Sequence, residues 1–193
     1  SGRIQFSSVN PYFLFVGTQE PRKNLNRLLR AFASLSELER NHTRLIIVGG
    51  SGWGKESPSE LIKELSLEGE VIITGYVSDE ELEEWYAHAE FLVMPSLYEG
   101  FGLPLVEAMS KGLPVMTSNV ASMSEIGGEA ACLVDPLSID SIAQGLRLML
   151  NDKEYLKSLA NKSKTQAKKF TWKHSAICLK NVFVSARDKR NAH

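Results

Sequence analysis

The sequence has little cysteine, no long apolar run and almost no net charge. Its 193 residues include two cysteines and four histidines, and the formal net charge is −1. Cys132 and Cys178 show neither Cys-x-x-Cys nor histidine spacing, so we expect buried, reduced thiols in a cytoplasmic protein and no metal site. The balanced charge argues against nucleic acid as the main partner, and no segment resembles a transmembrane helix or a signal peptide.

Size and composition are those of one globular domain. A hydrophobic fraction of 43% and a charged fraction of 23% are ordinary for such a domain. A chain of this length buries roughly 70% of its unfolded surface, so we treat residues 1–193 as a single domain. Because the chain opens with Ser1-Gly2, we expect that it begins within a longer protein.

Short apolar segments alternate with helical patterns, which predicts an α/β fold: a Rossmann-like three-layer sandwich in which helices flank a mostly parallel sheet. Strands are predicted at 12–16, 45–48, 71–74, 91–94, 114–116 and 131–134. Helices are predicted from about residue 24, over 60–67, after the capping box Ser78-Asp79-Glu80-Glu81, from Pro104 to Gly112, over 138–150 and 154–170, and from 172 to about 186. We expect the segment 117–119 to be an ordinary strand-to-helix turn.

Two glutamates, Glu99 and Glu107, bracket a glycine-rich loop and the start of a helix. The loop follows an apolar strand, and ligands of open parallel sheets bind at the carboxyl ends of strands. Gly100 and Gly102 let the backbone approach a ligand, and the amides at the helix start offer donors to an anion. Glu99 can reach sugar hydroxyls, and Glu107, about one turn into the helix, can accept hydrogen bonds from a ribose diol. The pair indicates a sugar-nucleotide site, although either glutamate alone fits a solvated helix terminus.

The segment from Glu99 to Glu107 resembles the Glu-x7-Glu signature of the group 1 retaining glycosyltransferases, which fold as two facing Rossmann-like domains, the GT-B fold. The likeness extends, in the family's order, through residues 12–17, 20–24, 71–77 and 130–136. It implies that the chain is the C-terminal, donor-binding half of such an enzyme. It also implies that no cofactor or metal is required and that a C-terminal helix, 171–193, packs on the missing N-terminal Rossmann domain, although packing on this chain's own core fits as well.

The resemblance assigns a role to each site residue. Glu99 and Lys23 are the implied catalytic residues, because Lys23 stabilises charge on the leaving diphosphate and Glu99 holds the donor sugar. Donor-binding residues in the same pattern are Gly17, Lys23, Gly75, Tyr76, Glu99, Gly100, Phe101, Gly102, Leu103 and Glu107. Within that set, Gly75 and Tyr76 meet the nucleotide base. Many relatives carry a basic residue where this chain has Thr18, and Arg22 is a candidate replacement, although a solvated arginine fits as well.

The implied activity is hexosyl transfer, with mannose favoured, in polysaccharide biosynthesis. The donor would be a GDP- or UDP-linked sugar and the acceptor a saccharide or a glycolipid. We expect a cytoplasmic enzyme; peripheral association of the full-length protein with the inner face of the membrane is one option, which would suit a lipid-linked acceptor. We expect the domain alone to transfer nothing.

Three alternatives stay open. A sugar-nucleotide epimerase has the same architecture, and a noncatalytic nucleotide-sugar-binding module would keep the same contacts. A P-loop nucleotidase is the third, because the glycine-rich run 49–55 satisfies that spacing as far as Lys55. Glu56, however, replaces the Ser or Thr that holds magnesium, so we expect a flexible loop beside the cleft.

Overall fold

The computed structural model describes residues 11–54 and 57–170, apart from the side chain of Ala121. Within these residues lie six strands and eight α-helices. The strands are β1 (Tyr12–Val16), β2 (Arg44–Val48), β3 (Val71–Gly75), β4 (Leu92–Met94), β5 (Val115–Ser118) and β6 (Ala131–Val134). The helices are α1 (Leu25–Ala33), α2 (Glu37–Arg40), α3 (Pro58–Glu64), α4 (Asp79–His88), α5 (Leu103–Lys111), α6 (Ala121–Gly127), α7 (Ile139–Asn151) and α8 (Lys153–Ala167). None of the described helices is long and apolar enough to cross a membrane.

All strand pairs in the sheet are parallel, and the order is β3-β2-β1-β4-β5-β6. This order is typical of Rossmann folds, and it reverses direction between β1 and β4. β1 pairs with β2 from Tyr12↔Arg44 to Val16↔Val48, whereas it meets β4 at Leu14↔Leu92. The loops that follow β1 and β4 therefore open beside one another at the carboxyl edge of the sheet.

The sheet is buried on both faces because successive side chains of each strand alternate between two apolar clusters. Phe13 and Phe15 join the cluster formed with α1, α3 and α7, where the Phe13 ring stacks on Phe91 at 4.9 Å between centroids. Tyr12 and Leu14 join the cluster formed with α4, α5 and α6. Helix α8 contributes to both. Because α1 and α5 cover opposite faces, their first turns flank the crevice where the strand order reverses.

The predicted α/β class, the six strands and most of the helices are confirmed. The capping box at the start of α4 is present, with the Ser78 hydroxyl accepting from the Glu81 amide and the Glu81 carboxylate accepting from the Ser78 amide. Cys132 is a buried free thiol as expected, and burial raises its pKa. Cys178 and the helix predicted from residue 172 lie outside the described residues.

Three differences from the sequence-based expectation have physical reasons. The segment 117–119 is not simply a turn, because β5 continues through Thr117 and Ser118, whose buried hydroxyls donate to the Met94 and Ser96 carbonyls. The helix predicted at 60–67 is α3, which ends at Glu64 because Ser66 adopts a left-handed φ of 55°. Helices α2 and α6 lack a strong apolar period and were not predicted.

Candidate functional site at the carboxyl edge of the sheet

The edge between β1 and β4 brings together two residues that are far apart in sequence, Lys23 and Glu99. Lys23 ends a 3-10 turn after β1, and Glu99 lies in the loop after β4. The Lys23 ammonium is 2.6 Å from Glu99 Oε1, and the two side chains are only 8% and 7% exposed. The predicted phosphate-binding cation and sugar-binding carboxylate therefore form a buried ion pair.

Glu99 is held by three side chains. Besides Lys23, its Oε1 accepts from the Ser96 hydroxyl at 2.9 Å, and its Oε2 lies 2.5 Å from Nη1 of Arg22. Its backbone carbonyl accepts from the Ser122 hydroxyl at 2.8 Å. Both the carboxylate and the peptide group are thus fixed in position.

Arg22 bridges two carboxylates instead of standing alone in solvent. Its guanidinium contacts Glu99 and also Glu20 Oε2, at 2.8 Å, while 42% of the side chain remains exposed. Burial opposes its charge, but the two carboxylates outweigh that effect and raise the pKa of Arg22. The expectation of a merely solvated arginine is therefore wrong.

Asn24 joins the loops that build this edge. Its side-chain amide donates to the carbonyls of Pro95 (2.9 Å) and Pro136 (2.7 Å), which follow β4 and β6. Its backbone adopts a left-handed φ of 61°, which asparagine tolerates better than most residues. The residue ends the 3-10 turn and starts α1, so it fixes where Lys23 lies.

Gly17 makes room for the lysine. A Cβ at this position would lie 3.2 Å from Lys23 Cε, and the backbone φ is 147°. The Gly17 amide also donates to the Val48 carbonyl, which ties the turn after β1 to β2. Gly17 therefore lies against the lysine side chain, and its predicted contact with the donor stays a prediction.

The loop from Gly100 to Leu103 leads into α5, and several of its backbone N–H groups have no hydrogen-bond acceptor among the described residues. Gly102 is the N-cap residue, with φ 78°, and no side chain caps the helix. Among the described residues, no acceptor is assigned to the amides of Phe101, Gly102 and Leu103. Gly100 has no heavy atom within 4 Å of an ideal Cβ, so this side of the loop is open. Such a helix start can bind an anion.

Glu107 lies about 6 Å further along the axis of α5. It is exposed, and its Oε2 accepts from the Tyr86 hydroxyl at 3.2 Å. No direct contact joins Glu107 to Glu99 within the described part of the chain. The two carboxylates thus differ: Glu99 is buried among cations, and Glu107 stands at the solvent surface beside α4.

Gly75 is the last residue of β3 and Tyr76 follows it, two strands from β1. Gly75 has φ 76°, and its carbonyl accepts from the Gly49 amide. Tyr76 is 89% exposed. Neighbouring strands are about 4.8 Å apart, so this turn lies roughly 10 Å from the end of β1. Its predicted contact with a nucleotide base stays a prediction.

Sequence reasoning missed several residues that build the site. The sequence gives no direct sign that Ser96 and Ser122 contact Glu99, or that the hydroxyl of the core residue Tyr86 contacts Glu107. The one signal for Ser96 was its position three residues before Glu99.

A groove of about 890 Å³, lined by Glu20, Trp53 and others, lies beside the turn after β1 and includes neither glutamate of the motif. Within the described residues no group of three metal-ligating side chains occurs. Lys55 and Glu56 of the P-loop alternative lie outside the described residues.

The strand order and the crevice place the chain in the Rossmann-like class of α/β proteins. Comparisons with known proteins then identify the family. Residues 3–166 match the family described as glycosyl transferases group 1. The chain therefore belongs to the group 1 glycosyltransferase family.

Individual relatives agree with this assignment. The chain is 40% identical over 172 residues to the O-antigen chain mannosyltransferase B of Escherichia coli, covering 89% of this chain and 45% of that protein. It is 35% identical over 190 residues to the MMP alpha-(1->4)-mannosyltransferase of Mycolicibacterium hassiacum, covering 96% and 44% respectively. The chain thus spans about half the length of these relatives.

Solved structures share the fold. The sucrose-phosphate synthase of Thermosynechococcus elongatus superposes with a TM-score of 0.76 at 27% identity, covering 93% of this chain and 46% of that one. WaaG, a glycosyltransferase involved in lipopolysaccharide biosynthesis, gives a TM-score of 0.73 at 26% identity, covering 84% and 44%. The structural similarity therefore also extends over about half of each neighbour.

Proposed function

We propose that this chain is the donor-binding domain of a retaining glycosyltransferase that transfers a hexose, mannose favoured, from a nucleoside diphosphate sugar to a saccharide or lipid-linked acceptor. The observation that carries the proposal is the buried Lys23–Glu99 pair, which lies at the reversal point of the sheet beside the uncapped start of α5. Family membership and relatives named as mannosyltransferases support it.

The contacts suggest a division of labour. The Lys23 ammonium and the amides at the start of α5 hold the diphosphate and offset the charge that develops on it as the sugar leaves. Glu99 holds the sugar, and Glu107 accepts from the ribose hydroxyls. The chain supplies binding and electrostatic stabilisation, while the acceptor is held by an N-terminal Rossmann domain of the whole protein. In this proposal the enzyme works in the cytoplasm at the membrane's inner face.

The donor's base is an experimental question. A structure of Anabaena Alr3699/HepE in complex with UDP and glucose shares the fold at 21% identity with a TM-score of 0.74, which is a likeness of fold alone. Uridine donors therefore belong in the assay beside the guanosine donors that a mannosyltransferase would use.

Calorimetry tests the proposal. GDP, UDP and ADP, each with and without mannose or glucose attached, are titrated into the 193-residue chain and into Glu107→Ala. One nucleotide series should bind, and the variant should bind it about tenfold or more weakly, because a hydrogen bond to a carboxylate contributes roughly 1.5–3 kcal/mol. Glu154→Ala, which removes an exposed carboxylate on α8, is the matched control.

Two results would contradict the proposal. A Glu107→Ala variant that binds every nucleotide as well as the parent would remove Glu107 from the site. Release of nucleoside diphosphate with net sugar transfer by the 193-residue chain alone would contradict the requirement for a second domain.

A further inference from the structure

The Glu107 carboxylate is exposed, yet one of its oxygens is engaged from the protein side. The Tyr86 hydroxyl lies 3.2 Å from Glu107 Oε2 and 3.5 Å from the Pro104 carbonyl, which belongs to the first turn of the same helix. A phenol has one proton to donate, and the nearer acceptor carries the charge. The hydroxyl therefore donates to Glu107.

Tyr86 is itself firmly held. Only 2% of the residue is exposed, and its ring packs in the cluster beneath α4 and α5. The Lys111 ammonium lies over one face of the ring, 5.7 Å from its centroid, and also pairs with the Glu83 carboxylate. Burial, and then the charge of Glu107, raise the pKa of Tyr86, which keeps the phenol protonated and a donor at neutral pH.

We propose that Tyr86 is a positioning residue that orients the Glu107 carboxylate toward the ribose of the donor, and so determines the preference for a nucleotide with an intact 2′,3′-diol. This inference rests on the proposed function, since it concerns the same donor site. The carboxylate has about four acceptor positions on two oxygens, so a bond from Tyr86 leaves Oε1 and the remainder of Oε2 for the two ribose hydroxyls.

Orientation matters because an exposed glutamate otherwise samples several rotamers. Fixing one of them in advance lowers the entropy lost when the diol binds. A separation of 3.2 Å is long for an O–H···O bond, and such contacts commonly tighten once the ligand is in place. The tyrosine would then act through Glu107 without touching the ligand.

The test compares GDP with 2′,3′-dideoxy-GDP by calorimetry on the 193-residue chain, with the UDP and ADP pairs in parallel. Four proteins are needed: the parent, Tyr86→Phe, Glu107→Ala and Tyr12→Phe. Tyr12 is a matched control because its buried hydroxyl also donates a hydrogen bond, but to the Trp85 backbone carbonyl at 2.9 Å and not to Glu107. Thermal unfolding of each variant is recorded alongside.

If Tyr86 positions Glu107, Tyr86→Phe should weaken GDP binding about three- to tenfold, the usual worth of one hydrogen bond, and leave the dideoxy analogue within about twofold. The Tyr12→Phe variant should lose stability but keep the parent's ratio of the two affinities. Equal weakening of both ligands by Tyr86→Phe would show a structural role only and would overturn the inference, as would a parent protein that does not distinguish the two ligands.

The Glu107→Ala arm separates this inference from the proposed function. If that variant loses the diol preference while Tyr86→Phe keeps it, the positioning role is wrong and the donor site stands. If Glu107→Ala keeps the preference, Glu107 does not bind the ribose and both proposals fail together.

A spectroscopic readout covers the case in which Tyr86→Phe does not fold. In protein labelled with ¹³C at the tyrosine Cζ carbons, the Tyr86 signal is assigned by its shift in Glu107→Ala. GDP should move this signal and the dideoxy analogue should not. A signal that responds equally to both ligands, or to neither, would overturn the inference.

Discussion

Replacing Glu99 by glutamine should destabilise the protein more than removing its partner Lys23, although both changes break the same ion pair. Glu99→Gln leaves the Lys23 ammonium, with a side chain only 8% exposed, without its carboxylate. Lys23→Met leaves the Glu99 carboxylate with Arg22 at 2.5 Å and Ser96 at 2.9 Å. The free-energy cost of breaking the pair is mainly that of the charge left behind, and among residues 11–54 and 57–170 only Glu99 has a second charged partner, Arg22.

The magnitude follows from burial. Removing one member of a buried pair costs roughly 3–5 kcal/mol, and the lower end applies to a pair at the edge of a crevice. We therefore expect about 3 kcal/mol for Glu99→Gln and about 1 kcal/mol for Lys23→Met. For a domain of this length each kcal/mol lowers Tm by about 2–4 °C, which gives about 6–12 °C and about 2–4 °C. The double variant should be more stable than Glu99→Gln, because no buried charge is left unpaired.

Urea unfolding at neutral pH measures the difference as a shift in the midpoint at unchanged m-value. Glu64→Gln is the matched control, because Glu64 pairs with Arg30 at 3.7 Å and 65% of its side chain is exposed. Such a surface pair contributes at most about 1 kcal/mol. The reasoning is refuted if Glu99→Gln destabilises no more than Glu64→Gln, or if Lys23→Met is the more damaging member of the pair.

Two further predictions concern the loop before α5 and the pH dependence of stability. Gly102→Ala should lower the free energy of unfolding by about 1–3 kcal/mol, because φ is 78° and the new Cβ would lie 2.2 Å from Met123 Cε. Gly100→Ala should leave Tm unchanged but weaken GDP binding, because its Cβ would enter open space at the helix start. Thermal unfolding measures the loss of stability and calorimetry measures the loss of binding. Equal Tm values for the two variants would contradict the prediction for Gly102→Ala. A backbone hydrogen bond from Ser36, and then Arg147, lower the pKa of Glu39 from 4.5 to about 2, so its contribution to stability is complete above about pH 5 and is lost as the pH falls toward 2. The gap between the urea midpoints of the parent and Glu39→Gln should close over that range, and a constant gap would rule out this assignment.

The strands and the α/β class could be predicted because most strand residues are apolar on both faces, as is expected when helices cover both sides of a sheet. Thr117 and Ser118 depart from that pattern because their hydroxyls donate to the carbonyls of Met94 in β4 and of Ser96 in the loop after it, and a single sequence does not show that β4 is the neighbouring strand. Helix α2 begins with a capping box at Ser36 but has no buried residue, so it lacks the apolar period that reveals a helix.

Local sequence patterns predict only part of the candidate site. Placing Lys23 and Glu99 at the carboxyl ends of strands was possible from local patterns, and both lie there. Their contact depends on β1 and β4 being neighbours, which follows from the order of the whole sheet. The role of Arg22 was out of reach, because a charged residue in a turn gives no sign of the carboxylate, 77 positions away, that it will meet.

The arrangement of charge at this edge also explains why net charge is a poor guide to the ligand. Arg22 and Lys23 are positive and Glu20 and Glu99 are negative, so the cluster is balanced, as is the chain with its net charge of −1. A balanced cluster attracts no polyanion from a distance. It nevertheless holds two cations in fixed positions near the start of α5, whose first amides have no acceptor within the described residues, and the Glu99 carboxylate offsets the cost of burying Lys23. Recognition of a small anion at this site would therefore depend on directional donors at short range, a property that composition does not record and that only the fold assembles.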